Sequence, residues 1–287
     1  MCQLSQFHFQ QSLRNLPSNM KNQKTLLLLV CIALILTGLL WGRTTSGQET
    51  DNNNCNISDN NALLEVLSPE GSEIIRYCGF TVSFNPRFHQ PDYVAWELTR
   101  DEAEADSVSR KGYDFASDPD IEGCAVLADY RRSGFSRGHM VPAGDMKWSP
   151  EAMRDCFYLT NICPQTSALN EGAWGALEKN CRRWARRDSA IIIICGPILT
   201  DRLTRSIGQT PVPVPERFFK VILAPGANPP RAIGFIMNNG KVEGGMQAAV
   251  TTVDEVERIT GYDFFSALPD SIEETIESQS NIPAWNL

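Results

Sequence analysis

Ser136-Arg137-Gly138-His139-Met140-Val141-Pro142-Ala143-Gly144-Asp145 is followed by Asn161-Ile162-Cys163-Pro164-Gln165, and then by Leu169-Asn170-Glu171-Gly172-Ala173-Trp174 running on to Glu178. Phe135 to Val141 reads as a strand, which presents Arg137 and His139 on one side because they are two residues apart. Gly138 between them admits a close approach of backbone or ligand. Leu169 to Arg187 reads as one long helix, on which Asn170 and Glu178 stand about 80° apart, so both border one cleft. A proton acceptor, a guanidinium, an amide oxygen and a carboxylate are what phosphodiester hydrolysis needs around one hard cation. The chain has only three histidines. His8 precedes the domain and His89 sits beside Pro91 in a turn, so His139 is the candidate base.

Outward from this core, Glu73 to Ser83 and Tyr93 to Leu98 are β-rich, with the Asn85-Pro86 turn between them. Ala190 to Cys195, Phe218 to Leu223 and Ala232 to Met237 are short apolar runs that fit buried strands. Helices are predicted at Pro150 to Asp155 behind a Ser149 cap, and at Val253 to Ile259 between Thr252 and Gly261. Strands on both sides of a long helix make the class α+β. Trp174 and Leu177 are expected to pack that helix on the sheet.

The 287 residues, 42% hydrophobic, suffice for one large core, and no internal repeat divides them. Residues 1–47 read as a targeting segment, in which Met20 offers an internal start and Lys21 and Lys24 precede an apolar run from Thr25 to Trp41. That run is long for a signal peptide and short for a membrane span, so a cleaved signal and a retained anchor both stay open. Either implies export, to a periplasmic or extracellular location. Residues 48–61 are polar and asparagine-rich, a linker, and residues 62–287 form the domain. Beyond the targeting segment stand Cys55, Cys78, Cys124, Cys156, Cys163, Cys181 and Cys195, an odd number, so in an exported protein some pair and at least one stays unpaired within the chain. No two of them form a Cys-x-x-Cys pair, which argues against structural zinc.

The formal net charge is −8, and it becomes −12 without residues 1–48, which hold Arg14, Lys21, Lys24 and Arg43 but no acid. A polyanion partner then requires local positive potential. Cys181-Arg182-Arg183-Trp184-Ala185-Arg186-Arg187 offers it through two i,i+4 arginine pairs, unless these are simply cations at a solvated helix end.

The residues resemble the DNA/RNA non-specific endonucleases of the ββα-metal type, which include the endonuclease G group. The likeness runs in order through Tyr93-Val94-Ala95-Trp96, Asp129-Tyr130, Arg137-Gly138-His139, Asn161-x-x-Pro164-Gln165, Leu169-Asn170-x-Gly172-x-Trp174, Glu178, Gly196-Pro197 and the stretch from Thr252 to Gly261. It implies a ββα-metal fold: a central, mainly antiparallel sheet flanked by helices, with the site on a strand and long-helix element. It implies that His139 is the general base, Asn170 the direct protein ligand of a largely hydrated Mg²⁺, and Glu178 an outer-sphere partner, with Asn161 supporting the site. Mn²⁺ is a substitute for Mg²⁺ in this reading. Arg137 stabilises the phosphate, and Arg110, upstream of Tyr113 and Asp118-Pro119, looks like the second phosphate-binding arginine. The substrates implied are DNA and RNA, cut without base readout to leave 5′-phosphate and 3′-hydroxyl ends. Some relatives are dimers, so the resemblance allows a homodimer, and the membrane enters only through an N-terminal anchor. Ser136 stands where the family usually has Asp. The alternative is a pseudonuclease that binds nucleic acid without cutting it.

Overall fold

Why the predicted strands pair as they do follows from two short turns. In the computed structural model, which describes residues 61–68, 73–200 and 205–287, the stretch read as one strand from Glu73 to Ser83 is a hairpin. Strand β1 (Glu73–Tyr77) turns at Cys78-Gly79 into β2 (Phe80–Asn85). Gly79 has φ +88, and a Cβ there would lie 2.7 Å from the Trp148 ring, so glycine is required where the sequence reading had only an interruption. The next turn is held by Asn85, whose Oδ1 accepts from the backbone N–H of Arg87 at 3.0 Å and of Phe88 at 3.1 Å. It leads into β3 (Gln90–Thr99), longer at both ends than expected.

Five helices and eight strands complete the part that positions the site. In chain order they are α1 (Arg100–Glu104), α2 (Leu127–Tyr130), β4 (Ser136–His139), α3 (Pro150–Asp155), β5 (Ile162–Gln165), α4 (Gly175–Asp188), β6 (Ala190–Pro197), β7 (Ser206–Ile207), β8 (Val212–Pro213), β9 (Arg217–Ala224), β10 (Arg231–Asn238), β11 (Val250–Thr251) and α5 (Val253–Thr260). Helices α6 (Asp270–Glu277) and α7 (Ile282–Trp285) follow; neither was anticipated. Seven strands form one sheet in the order β1-β2-β3-β6-β9-β10-β11, every neighbouring pair antiparallel. Strands β4 and β5 make a separate antiparallel pair.

Both faces of the large sheet are covered, which explains the unbroken apolar run of β6. Ile191, Ile193 and Cys195 face the layer that contains Leu177, Cys181 and Trp184 of α4. Ile192 and Ile194 face the opposite layer, with Val253 and Val256 of α5 and Ile276 of α6. Helix α5 is bounded as predicted: Thr252 Oγ1 accepts from the Glu255 N–H, and Gly261 closes the helix at φ 75.

The arginine-rich end of α4 is not a nucleic-acid stripe. Arg183 donates to the Asn286 carbonyl, Arg187 to the Ala284 carbonyl and Asp188, and Arg186 to the Ala103 carbonyl. These bonds fasten the C-terminal segment and α1 to α4. Trp285 is fully buried, 4.8 Å from the Trp184 ring centroid, and its carbonyl accepts from Trp184 Nε1 at 2.7 Å. Trp285→Ala is therefore expected to cost about 3–5 kcal/mol, read as a lowered urea midpoint at unchanged slope. An unchanged midpoint would show that the C-terminal segment contributes nothing to stability.

The expectations for residues 1–47 and for the linker as far as residue 60 lie outside the described residues. Within the described residues no helix is long and apolar enough to cross a membrane. Cys124, Cys156, Cys163, Cys181 and Cys195 are free thiols, while Cys78 is disulfide-bonded.

Candidate active site

The β4–β5 pair sets the site's backbone. Gly138 pairs with Cys163 and His139 with Ile162. A Cβ at Gly138 would fall 2.2 Å from Gln165 Oε1, so only glycine lets the Gln165 side chain cross the strand. The chain leaving His139 is then fixed by Asn161, which is fully buried. Its Oδ1 accepts from the Val141 N–H at 2.9 Å, and its Nδ2 donates to the carbonyls of Val141 at 3.0 Å and Cys156 at 2.8 Å. Asn161 therefore spends its amide on backbone and acts by positioning its neighbours.

The helix predicted from Leu169 to Arg187 is broken. Leu169–Trp174 is a π-helical segment with Gly172 at φ −90, ψ −116, and the regular helix α4 starts at Gly175. The 80° separation assumed a continuous α-helix and does not survive this kink, yet Asn170 and Glu178 still line one cleft. Glycine tolerates the non-helical ψ, and π-segments of this kind recur at functional sites. Trp174 just after the break donates its indole N–H to the His139 carbonyl at 3.2 Å, tying helix to strand. The helical start carries no side-chain cap, so capping does not account for Asn170.

The cleft, about 380 Å³, is lined by Arg110, Arg137, His139, Asn170, Glu178 and Arg182 among others. His139 sits edge-on to Phe157 at 5.2 Å and tilted on Phe115 at 5.0 Å. Its Nε2 is buried without a hydrogen-bond partner. Burial, then Arg110 and Arg137, push its pKa down to about 3, so the imidazole is neutral at pH 7. Glu178 is half-buried, and burial pushes its carboxyl up to about 7 against the pull of Lys220.

Two buried charges lie under the cleft. Asp145 is fully buried and accepts from Arg182 at 2.6 Å and from Trp96 Nε1 at 3.3 Å. Lys220 is also fully buried, its Nζ 4.3 Å from the Trp174 ring centroid and 5.2 Å from that of Trp96. Burial opposes its charge, but Cys195, Cys181, Glu178 and Asp145 hold its pKa above the ordinary lysine value. Sequence reading missed Lys220, although a lone lysine inside Phe218-Phe219-Lys220-Val221 was the available signal. It also missed a second pocket, about 480 Å³, that shares Arg110 and Arg137 with the cleft and adds Arg131, Arg132, Phe115 and Phe135. Arg137 lies 4.5 Å over the Phe115 ring and Arg205 4.5 Å over Phe135. Ser136, in this pocket, shares a 3.1 Å hydrogen bond with the Ser167 hydroxyl.

The depressed His139 has a thermodynamic signature. Between about pH 6.5 and about pH 3 the unfolded chain binds a proton that the folded imidazole refuses, so stability present above this window is lost as pH falls through it. His139→Gln is expected to remove up to about 1.4 kcal/mol per pH unit of that slope. The difference between wild type and variant in urea unfolding, measured at about pH 7, 6 and 5, checks it. Parallel acid limbs in the two proteins would mean that His139 is not buried neutral.

The profile of the family described as DNA/RNA non-specific endonuclease matches residues 59–271. "Nuclease EXOG, mitochondrial" of Mus musculus is 35% identical over 221 residues, covering 70% of this chain and 59% of that protein. "Nuclease 1, mitochondrial" of Schizosaccharomyces pombe is 33% identical over 210 residues, covering 67% of this chain and 65% of that protein. The chain thus spans less than two thirds of the length of either relative. A chain of the crystal structure of the EndoG/EndoGI complex superimposes with a TM-score of 0.65 at 28% identity, covering 70% of this chain and 89% of that one. It is similar in fold, consistent with the antiparallel sheet flanked by helices. The mitochondrial relatives overturn the expected periplasmic or extracellular location. The physical reason is that secretory and mitochondrial leaders are both basic and poor in acid, so Lys21 and Lys24 ahead of an apolar run did not separate them.

Proposed function

The chain belongs to the DNA/RNA non-specific endonuclease family, and on that premise we propose that it hydrolyses phosphodiester bonds of DNA and RNA without sequence preference, with residues 62–287 as the catalytic domain. The observation that carries this reading is the buried, unpartnered Nε2 of a neutral His139 in a cleft walled by Arg110, Arg137, Asn170 and Glu178.

The donors in the cleft suit a hard divalent cation. Asn170 offers an amide oxygen and Glu178 a carboxylate, while the thiols of Cys181 and Cys195 are buried and pushed up to about 12 and about 11 by that burial. An oxygen-only set of this kind fits Mg²⁺, with Mn²⁺ as a substitute, and does not select zinc. Asn170 would hold the cation directly and Glu178 from its outer sphere. When bound, the cation stabilises charge on the phosphate and on the leaving 3′ oxygen.

The chain's own residues supply the rest. His139 Nε2 takes the proton of the attacking water as its oxygen bonds to phosphorus. The bond from phosphorus to the 3′ oxygen breaks, leaving a 5′-phosphate and, after protonation, a 3′-hydroxyl. Burial keeps His139 neutral first, and Arg110 and Arg137 add to it while facing the phosphate, so the same two charges bind substrate and help keep the base unprotonated. Trp174 and Asn161 hold the His139 backbone so that the imidazole does not turn away. The adjoining pocket, with Arg131 and Arg132 beside Phe115 and Phe135, extends the track for a strand by charge and by stacking.

Cleavage of supercoiled plasmid and of a structured RNA, each with Mg²⁺ or EDTA, tests the reading. We expect loss of both substrates with Mg²⁺, none with EDTA, and a fall of about 10²–10⁴-fold in His139→Ala. Asn170→Ala is expected to lose activity comparably. A wild-type chain that binds DNA yet cuts neither substrate would install the pseudonuclease in its place. A separate measurement addresses the track: Arg131→Ala with Arg132→Ala should raise KM, leave kcat near wild type, and reduce the log–log salt slope of binding by about 1–2. An unaltered salt slope would remove those arginines from the substrate path.

A further inference from the structure

On the face of the sheet opposite α4, three carboxylates converge. Asp254 and Glu257 project from α5 and Glu277 ends α6, and their oxygens all lie within 4.8 Å of one another. Such proximity of acids is common on surfaces, but Glu277 is not a surface group. It is 5% exposed, beside the core residue Ile276, and its Oε1 is buried without a hydrogen-bond partner. A buried carboxylate with an unpartnered oxygen, converging with two other carboxylates, is costly unless a proton or a cation lies between them.

Burial and four neighbouring acids, with no cation among them, dominate the surroundings of Glu277 among the described residues. Asp263 and Glu273 add their charge to that of Asp254 and Glu257, and with burial they push the Glu277 carboxyl up to about 9. Arg258, the one arginine of α5, is turned to Glu255 at 2.6 Å on the exposed side. Helix α6 has no basic residue in its last turn, so its negative end also points at the group. Glu257 keeps its position through Oε1, which accepts from the Phe264 N–H at 2.8 Å. Asp254 is exposed and leaves an entry path from solvent.

We propose that Asp254, Glu257 and Glu277 form a binding site for a hard divalent cation of the size of Ca²⁺, which clamps the C-terminal end of α6 to α5, separate from the catalytic cleft. The ligand set selects the ion. Ca²⁺ takes several carboxylates at once in flexible geometry, whereas Mg²⁺ is usually held by one or two and keeps most of its waters, and this group offers three carboxylates that converge within 4.8 Å. Three carboxylates from two helices also leave room for the waters that complete a coordination number of about 6–8.

The experiment uses the full chain carrying Asn170→Ala, so that the catalytic cleft contributes no metal response, and adds calcium chloride or magnesium chloride at about pH 7. Calorimetry is expected to show one Ca²⁺ bound per chain. Thermal unfolding should rise by roughly 5 °C at saturating Ca²⁺, and Mg²⁺ should bind at least about tenfold more weakly. Glu277→Gln should abolish both responses. Because changing a buried residue can unfold the chain, Asp254→Asn at the exposed ligand provides the second variant, expected to weaken Ca²⁺ binding at least about tenfold with the metal-free Tm unchanged. No Ca²⁺ response in the parent, or the same response in Asp254→Asn, overturns the proposal. An equal response to Mg²⁺ overturns the choice of ion.

Discussion

Holding one histidine backbone between a strand and a broken helix is the constraint on which the rest of this structure depends. The Trp174 indole on the His139 carbonyl and the Asn161 amide on Val141 together leave the end of β4 almost no freedom. Both donors are fully buried, where a hydrogen bond cannot be exchanged for water and its loss strands a polar group. The kink at Gly172 is part of the same constraint, since it lies between Asn170 on the cleft and Trp174 on the strand. A rigid side chain for proton transfer needs a rigid backbone beneath it, and the large sheet supplies that backing through Phe218, which meets Trp174 edge-on at 5.7 Å.

The charges beneath the cleft follow from that packing. Asp145 and Lys220 are fully buried, and Arg182 and Glu178 stand at the boundary; Arg182 pairs with Asp145, while Lys220 lies over the Trp174 and Trp96 rings. The Arg182–Asp145 pair is poor evidence for stability, because desolvation offsets much of the attraction, but removing one of the two would leave the other unpaired at a cost of about 3–5 kcal/mol. The pairing also separates roles. Arg182 is neutralised by Asp145, whereas Arg110 and Arg137 stack on Phe157 and Phe115 and keep their charge directed at the cleft. They depress His139 for the same reason that they would attract a phosphate.

How much of this was legible in the sequence depended on whether a feature was local. Asn85, Thr252 and Gly261 signalled their turn and caps because those bonds span only a few residues, and Ala190 to Cys195 signalled a buried strand through its local apolar run. His139, Arg110, Arg137, Asn170 and Glu178 were named from a resemblance spread along the chain, and the structure brings all of them to one cleft. What stayed hidden depends on contacts far apart in sequence. The hairpin at Gly79 needed Trp148, the duties of Arg183 and Arg187 needed the last residues of the chain, and the salt bridge of Asp145 to Arg182 crosses 37 positions. The helix break at Gly172 was overlooked because a glycine inside an amphipathic run reads as tolerated rather than as a hinge.

The acidic balance of the chain at first argued against a polyanion substrate, and the fold resolves that conflict by distance. Arg110, Arg131, Arg132 and Arg137 gather around two adjoining pockets on the side of α4 and β4, while Asp254, Glu257, Asp263, Glu273 and Glu277 gather behind the sheet on α5, α6 and their connection. With a screening length of about 8–10 Å in physiological salt, charges on opposite faces of a fully packed sheet act almost independently on solvent ions. A net charge therefore says little about what either face attracts. The front can gather phosphates against a negative total, and the rear concentrates acid to the point where one carboxylate, Glu277, is buried with other acids dominating its surroundings among the described residues. The same segregation that makes a polyanion tolerable at the cleft makes a cation favourable behind it.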